Sequence, residues 1–279
     1  MLSTNSNEVA AFRRVVWHHA GRYGRYTLPW RGAHTTAYHV LVSEAMLQQT
    51  QVDRVVPYYR AFIGQFPNVR TLAEAPLSSV LVAWQGLGYN RRAKRLHEAA
   101  QRILKDHGGR VPKDITTLET LPGIGPYTAR ATAAFAYNTD TIFVETNIRT
   151  AIIYHFCAHR KKVCDADIKE LLVKALPQGR AKEWYAALMD YGAHLKRSGV
   201  RVNTRVSGYA KQKPFSGSDR EARGTILKVL ATSPRSVRTL ANLLGTVRKP
   251  QLTHVLSALR AEGMVVARKG RYALPGDYP

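Results

Sequence analysis

The chain has 279 residues, enough for one large hydrophobic core together with a smaller domain. Its 42 Lys and Arg outnumber 19 Asp and Glu, a formal net charge of +23, so we expect a polyanionic partner such as nucleic acid. Two cysteines are too few for a disulfide framework, and no stretch reaches the roughly 18 uninterrupted apolar residues of a membrane-spanning helix.

The first residues, Met1 to Glu8, are polar and lack the basic start and apolar stretch of a secretory signal. We therefore expect a cytoplasmic, nucleoid-associated protein of bacterial type that acts as a monomer and makes no membrane contact. Cys157 and Cys164 are expected to remain free thiols.

From Glu8 to about Arg197, apolar residues recur at helical spacing between short Gly or Pro turns, which predicts an all-α domain over residues 1–197. The predicted helices are Val9–Tyr23, His39–Leu47, Gln51–Gln65, Leu77–Gln85, Arg91–His107, Thr116–Thr120, Tyr127–Tyr137, Thr146–Phe156, Asp165–Leu176 and Lys182–Leu195. Residues 198–217 are polar, basic and rich in turn formers, and we interpret them as a tether that packs on this domain.

Residues 218–279 show a different pattern, with three short helices followed by a hairpin. The helices are predicted at Arg223–Leu230, Val237–Leu244 and Pro250–Glu262, and the strands at Met264–Lys269 and Tyr272–Leu274. This order predicts a small winged-helix-like domain. Lys249 lies at the start of its third helix, where a phosphate contact is expected. The alternative is a domain used only for packing or protein contact.

A Gly-x-Gly turn lies between a short helix and an Ala-rich helix, in the segment that runs from Leu121 to Ala129. Gly123 and Gly125 have no side chain to keep a phosphate away from the backbone amides, and the helix that contains Thr128 offers its positive end. A Gly-x-Gly pair alone is more often a plain turn. In this helical context, the segment predicts a helix-hairpin-helix motif that binds DNA regardless of sequence.

Two carboxyl groups are candidates for chemistry. One carboxyl group can donate a proton to a leaving group, and a second can supply a negative charge that stabilises a developing cation. Glu44 is a lone acid among apolar helical residues, where burial raises its pKa, although such residues are more often exposed or ion-paired. Glu145 precedes the helix that begins near Thr146, and its alternative role is to cap that helix.

Four separated segments together carry a resemblance to a known family. These are Leu28-Pro29-Trp30, the run Ser-Glu-Ala-Met-Leu-Gln-Gln-Thr-Gln over residues 43–51, Gly86-Leu87-Gly88-Tyr89, and the hairpin at residues 121–125. In this order they resemble the MutY-like adenine DNA glycosylases of the helix-hairpin-helix superfamily, over roughly Phe12 to Leu195. The resemblance implies a two-lobed all-α fold and a base-excision enzyme whose partner is double-stranded DNA with a mismatch or lesion.

The resemblance also implies roles for single residues. Glu44 matches the acid that protonates N7 of adenine. Gln49 and Tyr89 match the positions from which the family inserts a wedge into the base stack, with Gln48 and Thr50 as neighbouring DNA contacts. Tyr127 stands where bifunctional relatives such as endonuclease III place a Schiff-base lysine. A tyrosine forms no imine, so we expect a monofunctional enzyme in which Tyr127 positions the acid or the substrate.

The sequence departs from the family at three places. Glu145 replaces the usual aspartate, and Asn147 is its expected hydrogen-bond partner. The segment Met189–Ala193 is not followed by the four cysteines that bind a [4Fe–4S] cluster, so we expect no cluster, no other metal and no cofactor. Ungapped alignment puts residues without a thiolate at those positions, namely Lys196, Asn203, Val206 and Gln212. The C-terminal segment does not resemble the β-rich domain that reads 8-oxoguanine.

The function that these residues favour is removal of adenine opposite 8-oxoguanine or guanine. A glycosylase for thymine or uracil opposite guanine, or for hypoxanthine, also requires Glu44 and stays open at this point. A DNA-binding protein without catalysis is the remaining alternative, which the presence of both carboxyl groups disfavours. Asp190, in the segment Met189–Ala193, is predicted to be a structural cap.

Overall fold

The computed structural model describes residues 5–205, 214–245 and 249–276, except the side chains of Arg205 and Lys249. These residues form helices and one small sheet, so the predicted all-α fold class is confirmed. They divide into two compact units. The first unit takes its residues from the ranges 1–44, 112–120 and 124–211, and the second from 45–111, 121–123 and 212–279.

The first unit is built around helix α11. Its helices are α1 (Ser6–Tyr23), α2 (Ala37–Leu47, whose last turn belongs to the second unit), α7 (Ile115–Glu119), α8 (Pro126–Tyr137), α9 (Thr146–Phe156), α10 (Asp165–Ala175) and α11 (Ala181–Arg197). α1 begins at a capping box in which Asn5 and Glu8 satisfy each other's backbone amides. Phe12 of α1 meets Trp184 of α11 edge to face at 5.9 Å between ring centroids, and both rings are buried.

α11 approaches the first turn of α9 more closely than a side chain would allow. A Cβ atom at Gly192 would lie 2.0 Å from the carbonyl oxygen of Asn147, so only glycine fits at this position. The contact fixes α11 against the helix start that carries Glu145 and Asn147. The glycine of the segment Met189–Ala193 therefore serves the packing of the site.

The second unit combines the middle of the chain with its C-terminal part. Its helices are α3 (Val52–Gln65), α4 (Val69–Glu74), α5 (Leu77–Ala83), α6 (Arg91–His107), α12 (Asp219–Leu230), α13 (Val237–Leu244) and α14 (Lys249–Ala261), and its strands are β1 (Arg235–Ser236), β2 (Val266–Arg268) and β3 (Arg271–Ala273). The strands form an antiparallel sheet in the order β1-β3-β2. Glu262 accepts hydrogen bonds from Arg91 of α6 and Arg223 of α12, which ties the C-terminal helices to α6.

Several predicted boundaries were wrong. Helix α4 was missed, because it has only six residues, although Asn68 and Thr71 form a capping box at its start. α2 begins two residues before the predicted His39, and α5 ends at Ala83 rather than Gln85. The first strand of the C-terminal hairpin is shorter than predicted, the second begins and ends one residue earlier than predicted, and β1 was missed.

The predicted tether, residues 198–217, lies partly outside the described residues. Its first part belongs to the first unit, where Val202 is buried and the amide of Asn203 donates to the hydroxyl of Thr150 over 2.9 Å. The division of the chain into residues 1–197, 198–217 and 218–279 stays a prediction. No helix in the described ranges is long and apolar enough to cross a lipid bilayer.

Candidate active site

Glu44 lies within α2 and is almost completely buried, with 7% of its surface exposed. Val40, Leu41 and Val42 on the same helix are also buried, so the carboxyl group has little access to water. Burial raises the pKa of Glu44 to about 7, and the charge of Glu145 acts in the same direction. The carboxyl group therefore holds a proton near neutral pH.

Tyr127 forms a hydrogen bond with Glu44. It lies in the first turn of α8, and its phenolic oxygen donates a hydrogen bond to Oε2 of Glu44 over 3.1 Å. Burial and the nearby carboxyl groups raise the pKa of Tyr127 well above its usual value, so the phenol stays protonated and remains a donor. Its ring meets Phe143 edge to face at 5.7 Å. These contacts fix the phenol and orient Glu44.

Glu145 is the N-cap of α9, and the capping role that the sequence offered as an alternative is confirmed. Its Oε1 atom accepts the backbone N–H groups of Asn147 and Ile148 over 2.7 and 3.1 Å. The side-chain amide of Asn147 donates to Oε2 over 3.3 Å. The cap does not exclude a catalytic role, because part of the side chain remains exposed to solvent.

The proton affinity of Glu145 is set by opposing effects. Burial has the largest effect and raises its pKa above the usual value of a glutamate, and the amides of Ile148 and Asn147 and the charge of Lys196 offset only part of this rise. The start of α9 also favours a negative charge. Glu145 is thus surrounded by hydrogen-bond donors that stabilise its ionised form, while Glu44 accepts one such bond from Tyr127.

Lys196 completes this group of residues and was not predicted as a site residue. Its ammonium group donates a hydrogen bond to Oδ1 of Asn147 over 3.1 Å. Lys196 follows Gly192 by four residues on α11, so both residues lie on the helix face that meets the start of α9. That spacing was the only signal in the sequence that pointed to Lys196.

Asp190 is not a helix cap, and this prediction was wrong. It lies within α11 with 2% of its surface exposed, and it forms ion pairs of 2.7 Å with Arg25 and with Arg31. Burial alone would raise the pKa of Asp190, but the two guanidinium groups outweigh it and lower the pKa. The pairs fix the turn Pro29–Arg31 on α11, and the charge of Arg31 also acts on Glu44.

In the second unit, Arg92 of α6 organises the two loops that carry the predicted DNA contacts. Its guanidinium group donates to the carbonyl oxygens of Gln48 (2.6 Å) and Gly88 (3.1 Å) and to the hydroxyl of Thr50 (3.2 Å). It also donates to the carbonyl oxygens of Ala45, Met46 and Leu87. Sequence reasoning missed Arg92, because its partners are all distant along the chain or are backbone atoms.

Both predicted wedge residues adopt left-handed backbone conformations. Gln49 has φ = 58° and an exposed side chain, and Tyr89 has φ = 49° and a partly exposed side chain. The ring of Tyr89 lies 5.4 Å from the guanidinium carbons of both Arg92 and Arg220. Arg220 of α12 also donates to the Tyr89 hydroxyl over 2.8 Å. The structure thus brings Tyr89 together with a C-terminal arginine that the sequence did not indicate.

The predicted hairpin is present between α7 and α8. Gly123 has φ = 75°, and a Cβ atom there would lie 2.5 Å from the Cβ of Arg95, so this position requires glycine. Gly125 is the exposed N-cap of α8 and makes no side-chain capping bond, which leaves the positive end of the helix for an anion. Leu121 and Thr128 are buried, so neither presents its side chain to DNA.

Some of the residues named in the sequence analysis lie outside the described structure. The side chain of Lys249 lies outside it, as do Val206 and Gln212.

Cys157 is buried, Cys164 is exposed, and both are free thiols. In the ranges described, no cluster of three or more His, Cys, Asp or Glu residues is placed to hold a metal ion. A four-cysteine iron–sulfur cluster does not fit a chain with two cysteines.

The chain matches one protein family and several relatives. Residues 42–178 match the family described as HhH-GPD superfamily base excision DNA repair protein. The chain is 38% identical to an adenine DNA glycosylase of Mycolicibacterium smegmatis, over 91% of this chain and 93% of the relative. It is 36% identical to an adenine DNA glycosylase of Mycobacterium tuberculosis, over 90% of this chain and 89% of the relative.

Solved structures show the same fold. A thermostable thymine-DNA glycosylase is similar with a TM-score of 0.58 at 24% identity, over 67% of this chain and 87% of that chain. A trapped endonuclease III–DNA covalent intermediate is similar with a TM-score of 0.57 at 15% identity, over 72% of this chain and 90% of that chain.

Proposed function

The chain belongs to the HhH-GPD superfamily of base excision DNA repair proteins, and from this premise we propose that it removes adenine from a mispaired position in double-stranded DNA. It is a DNA N-glycosylase. The names of its relatives support adenine as the target base, and we propose 8-oxoguanine or guanine as the opposite base.

The observation that carries this proposal is the unequal environment of the two carboxyl groups. Glu44 is buried, keeps its proton near neutral pH and is held by Tyr127. Glu145 lies at a helix start among N–H donors that favour its ionised form. One acid and one anion are the pair that cleavage of an N-glycosidic bond requires.

In the proposed reaction, the carboxyl group of Glu44 donates its proton to N7 of an extruded adenine. The bond between C1′ and N9 breaks, and its electron pair leaves with the base. The carboxylate of Glu145 stabilises the positive charge that develops on the sugar. Water then adds to C1′, directly or after a transient ester with Glu145, and its proton returns to Glu44.

The enzyme is proposed to be monofunctional and free of metal and cofactors. The resemblance aligns Tyr127 with the Schiff-base lysine of bifunctional relatives, its phenol donates instead to Glu44, and a phenol forms no imine with the sugar. The purified protein is therefore expected to contain no stoichiometric iron or sulfide and to leave the abasic strand uncleaved.

DNA contacts are proposed in both units. Gly123 and Gly125 with the start of α8 bind phosphates, and Gln49 and Tyr89 enter the base stack with support from Gln48 and Thr50. Helices α12–α14 and strands β1–β3 follow the order of a winged helix, and we propose that Lys249 contacts phosphate there. The protein is expected to act as a monomer on chromosomal DNA.

A panel of duplexes tests the proposal. Each duplex carries one candidate base: adenine opposite 8-oxoguanine, adenine opposite guanine, thymine or uracil opposite guanine, hypoxanthine, or normally paired adenine. Single-turnover excision is measured for the wild type and for Glu44→Gln. We expect release of adenine from the first two duplexes and none with the variant. Faster release of thymine, uracil or hypoxanthine than of adenine would show that adenine is not the preferred target base. Binding without release of any base would overturn the enzymatic proposal.

A further inference from the structure

The ammonium group of Lys196 decides which way the Asn147 side chain faces. An asparagine amide has one accepting oxygen and one donating nitrogen, and a lysine ammonium group only donates. Lys196 lies 3.1 Å from Oδ1 of Asn147, so the amide nitrogen must point the other way, towards Oε2 of Glu145. Without the ammonium group, the amide loses this restraint and can turn its oxygen towards the carboxylate.

The packing of α11 brings Lys196 to this position. Gly192 lets α11 approach the backbone of Asn147, and Lys196, one turn later on the same face, reaches the side chain of the same residue. The α11–α9 contact therefore holds both the backbone and the side chain of Asn147. All of these residues lie within the first unit.

Three helices bring ionisable side chains near Glu145. Lys196 of α11 favours its negative charge, and Glu44 of α2 is a second carboxyl group on which the charge of Glu145 acts. Tyr127 of α8 is a neutral phenol that donates a hydrogen bond to Glu44. Lys196 is the cation that acts most strongly on Glu145. Removal of its charge therefore leaves two interacting carboxyl groups with less to distinguish them.

We propose that Lys196 is a positioning residue for excision, which fixes the orientation of the Asn147 amide on Glu145 and places a positive charge near that carboxyl group. This inference rests on the proposed glycosylase function and deepens it. Lys196 acts through Asn147 and through its charge, and it forms no bond with the substrate in this proposal.

The test is a titration of the Glu145 carboxyl carbon by NMR in protein labelled with carbon-13 at the glutamate side chains. Spectra of Glu145→Gln and Glu44→Gln identify the two signals. Lys196→Met removes the charge and the donor, Lys196→Gln removes the charge but can still donate to Asn147, and Lys196→Arg keeps both. Lys182→Met is the matched control, because Lys182 lies exposed on the same helix.

We expect Lys196→Met and Lys196→Gln to raise the pKa of Glu145 by about one unit, the lower end of what loss of a nearby opposite charge produces. Lys196→Arg and Lys182→Met should leave it unchanged. In single-turnover excision, the rate of the two uncharged variants should fall about tenfold on the acidic side, because a unit shift in pKa is a tenfold change in the ionised fraction.

An unchanged Glu145 titration in both uncharged variants would overturn the inference, whether or not the protein excises adenine. An unchanged titration and pH profile with weaker DNA binding would instead identify Lys196 as a phosphate contact, which also overturns it. Failure of the proposed function has a separate signature, since the wild type would then release no base from any duplex while the NMR titration still reports on Lys196.

Discussion

Glu44 and Glu145 have the same side chain but lie in two different electrostatic environments. Glu44 lies within a helix, where the backbone N–H groups are already engaged, and Tyr127 donates to it. Glu145 stands at the start of a helix, where two backbone amides and the side chain of Asn147 donate to it. The position in the helix thus gives Glu145 more hydrogen-bond donors than Glu44 has.

In the proposed reaction, this contrast supplies an acid and an anion for the same bond. Burial raises the pKa of both carboxyl groups, so burial alone does not separate them. Both groups also have a donor and a cation nearby, which are Tyr127 and Arg31 for Glu44. Glu145 differs in accepting three N–H hydrogen bonds in addition to the charge of Lys196. Changes that remove either the proton or the donors should therefore have different consequences.

The largest effect is expected from Glu44→Gln. The amide preserves the size of the side chain and can still accept from Tyr127, but it has no transferable proton. Excision should fall by about 10²–10⁴-fold, as for loss of a general acid, while the fold and the affinity for a mismatched duplex are retained. Single-turnover kinetics and binding to the same duplex check this, and near wild-type excision would remove Glu44 from the mechanism.

Glu145→Gln should have the next largest effect, about 10²–10³-fold, because a neutral amide cannot stabilise the sugar cation. The glutamine oxygen can still accept from the helix start but carries no charge, so the free energy of unfolding should fall by no more than about 1 kcal/mol. Glu145→Asp is the matched control for charge, because aspartate caps helices well. We expect reduced but detectable excision in this variant, since its carboxylate sits about one bond length further back.

Full excision by Glu145→Asp would show that the additional methylene has no role. Full excision by Glu145→Gln would show that the negative charge is not needed, and the contrast between the two carboxyl groups would then have no catalytic meaning. Both variants are measured by single-turnover release of base at saturating enzyme, with thermal unfolding as the record of stability.

Gly192→Ala tests the support of the Glu145 side without touching either carboxyl group. The new Cβ atom would lie 2.0 Å from the carbonyl oxygen of Asn147, so α11 must shift, at a cost of about 1–3 kcal/mol. Gly21→Ala in α1 is the control, because nothing lies within 4 Å of its Cβ position and alanine favours helix by up to about 1 kcal/mol. Thermal or urea unfolding compares them, and equal stability would contradict the close approach of α11 and α9.

Tyr127→Phe should have the smallest effect on the maximal rate. The phenol stabilises the ionised form of Glu44, so its removal should raise the pKa of Glu44 further above 7. The acid then keeps its proton to higher pH, and the alkaline limb of the pH–rate profile should move upward. A downward shift, or a loss as large as that of Glu44→Gln, would show that Tyr127 does more than orient the acid.

The sequence indicated those candidate site residues that stand in short contiguous motifs. Glu44, Gly123 and Gly125 stand in contiguous motifs, and the periodicity of apolar residues was enough for nearly every long helix. The six-residue α4 carried too little periodicity to be recognised. Glu145 and Asn147 were predicted as partners because they are two positions apart.

The missed residues act through contacts between distant parts of the chain. Lys196 reaches Asn147 only because Gly192 lets two helices meet, and Arg92 is defined by carbonyl groups of two separate loops. Asp190 was misjudged for the same reason, because Arg25 and Arg31 are remote in sequence. Such partners depend on the packing of whole helices, which a local pattern does not encode.

The pH dependence of single-turnover adenine release by the wild type tests the central claim most directly. Glu44 must be protonated, and its pKa is about 7, so the rate should fall with rising pH above about 7. Glu145 must be ionised, so the rate should also fall at acidic pH, and Glu44→Gln should abolish the alkaline limb together with most of the activity. A rate that stays constant or rises from pH 7 to about pH 9, where an acid of this pKa is almost fully ionised, would contradict the assignment of Glu44 as the proton donor.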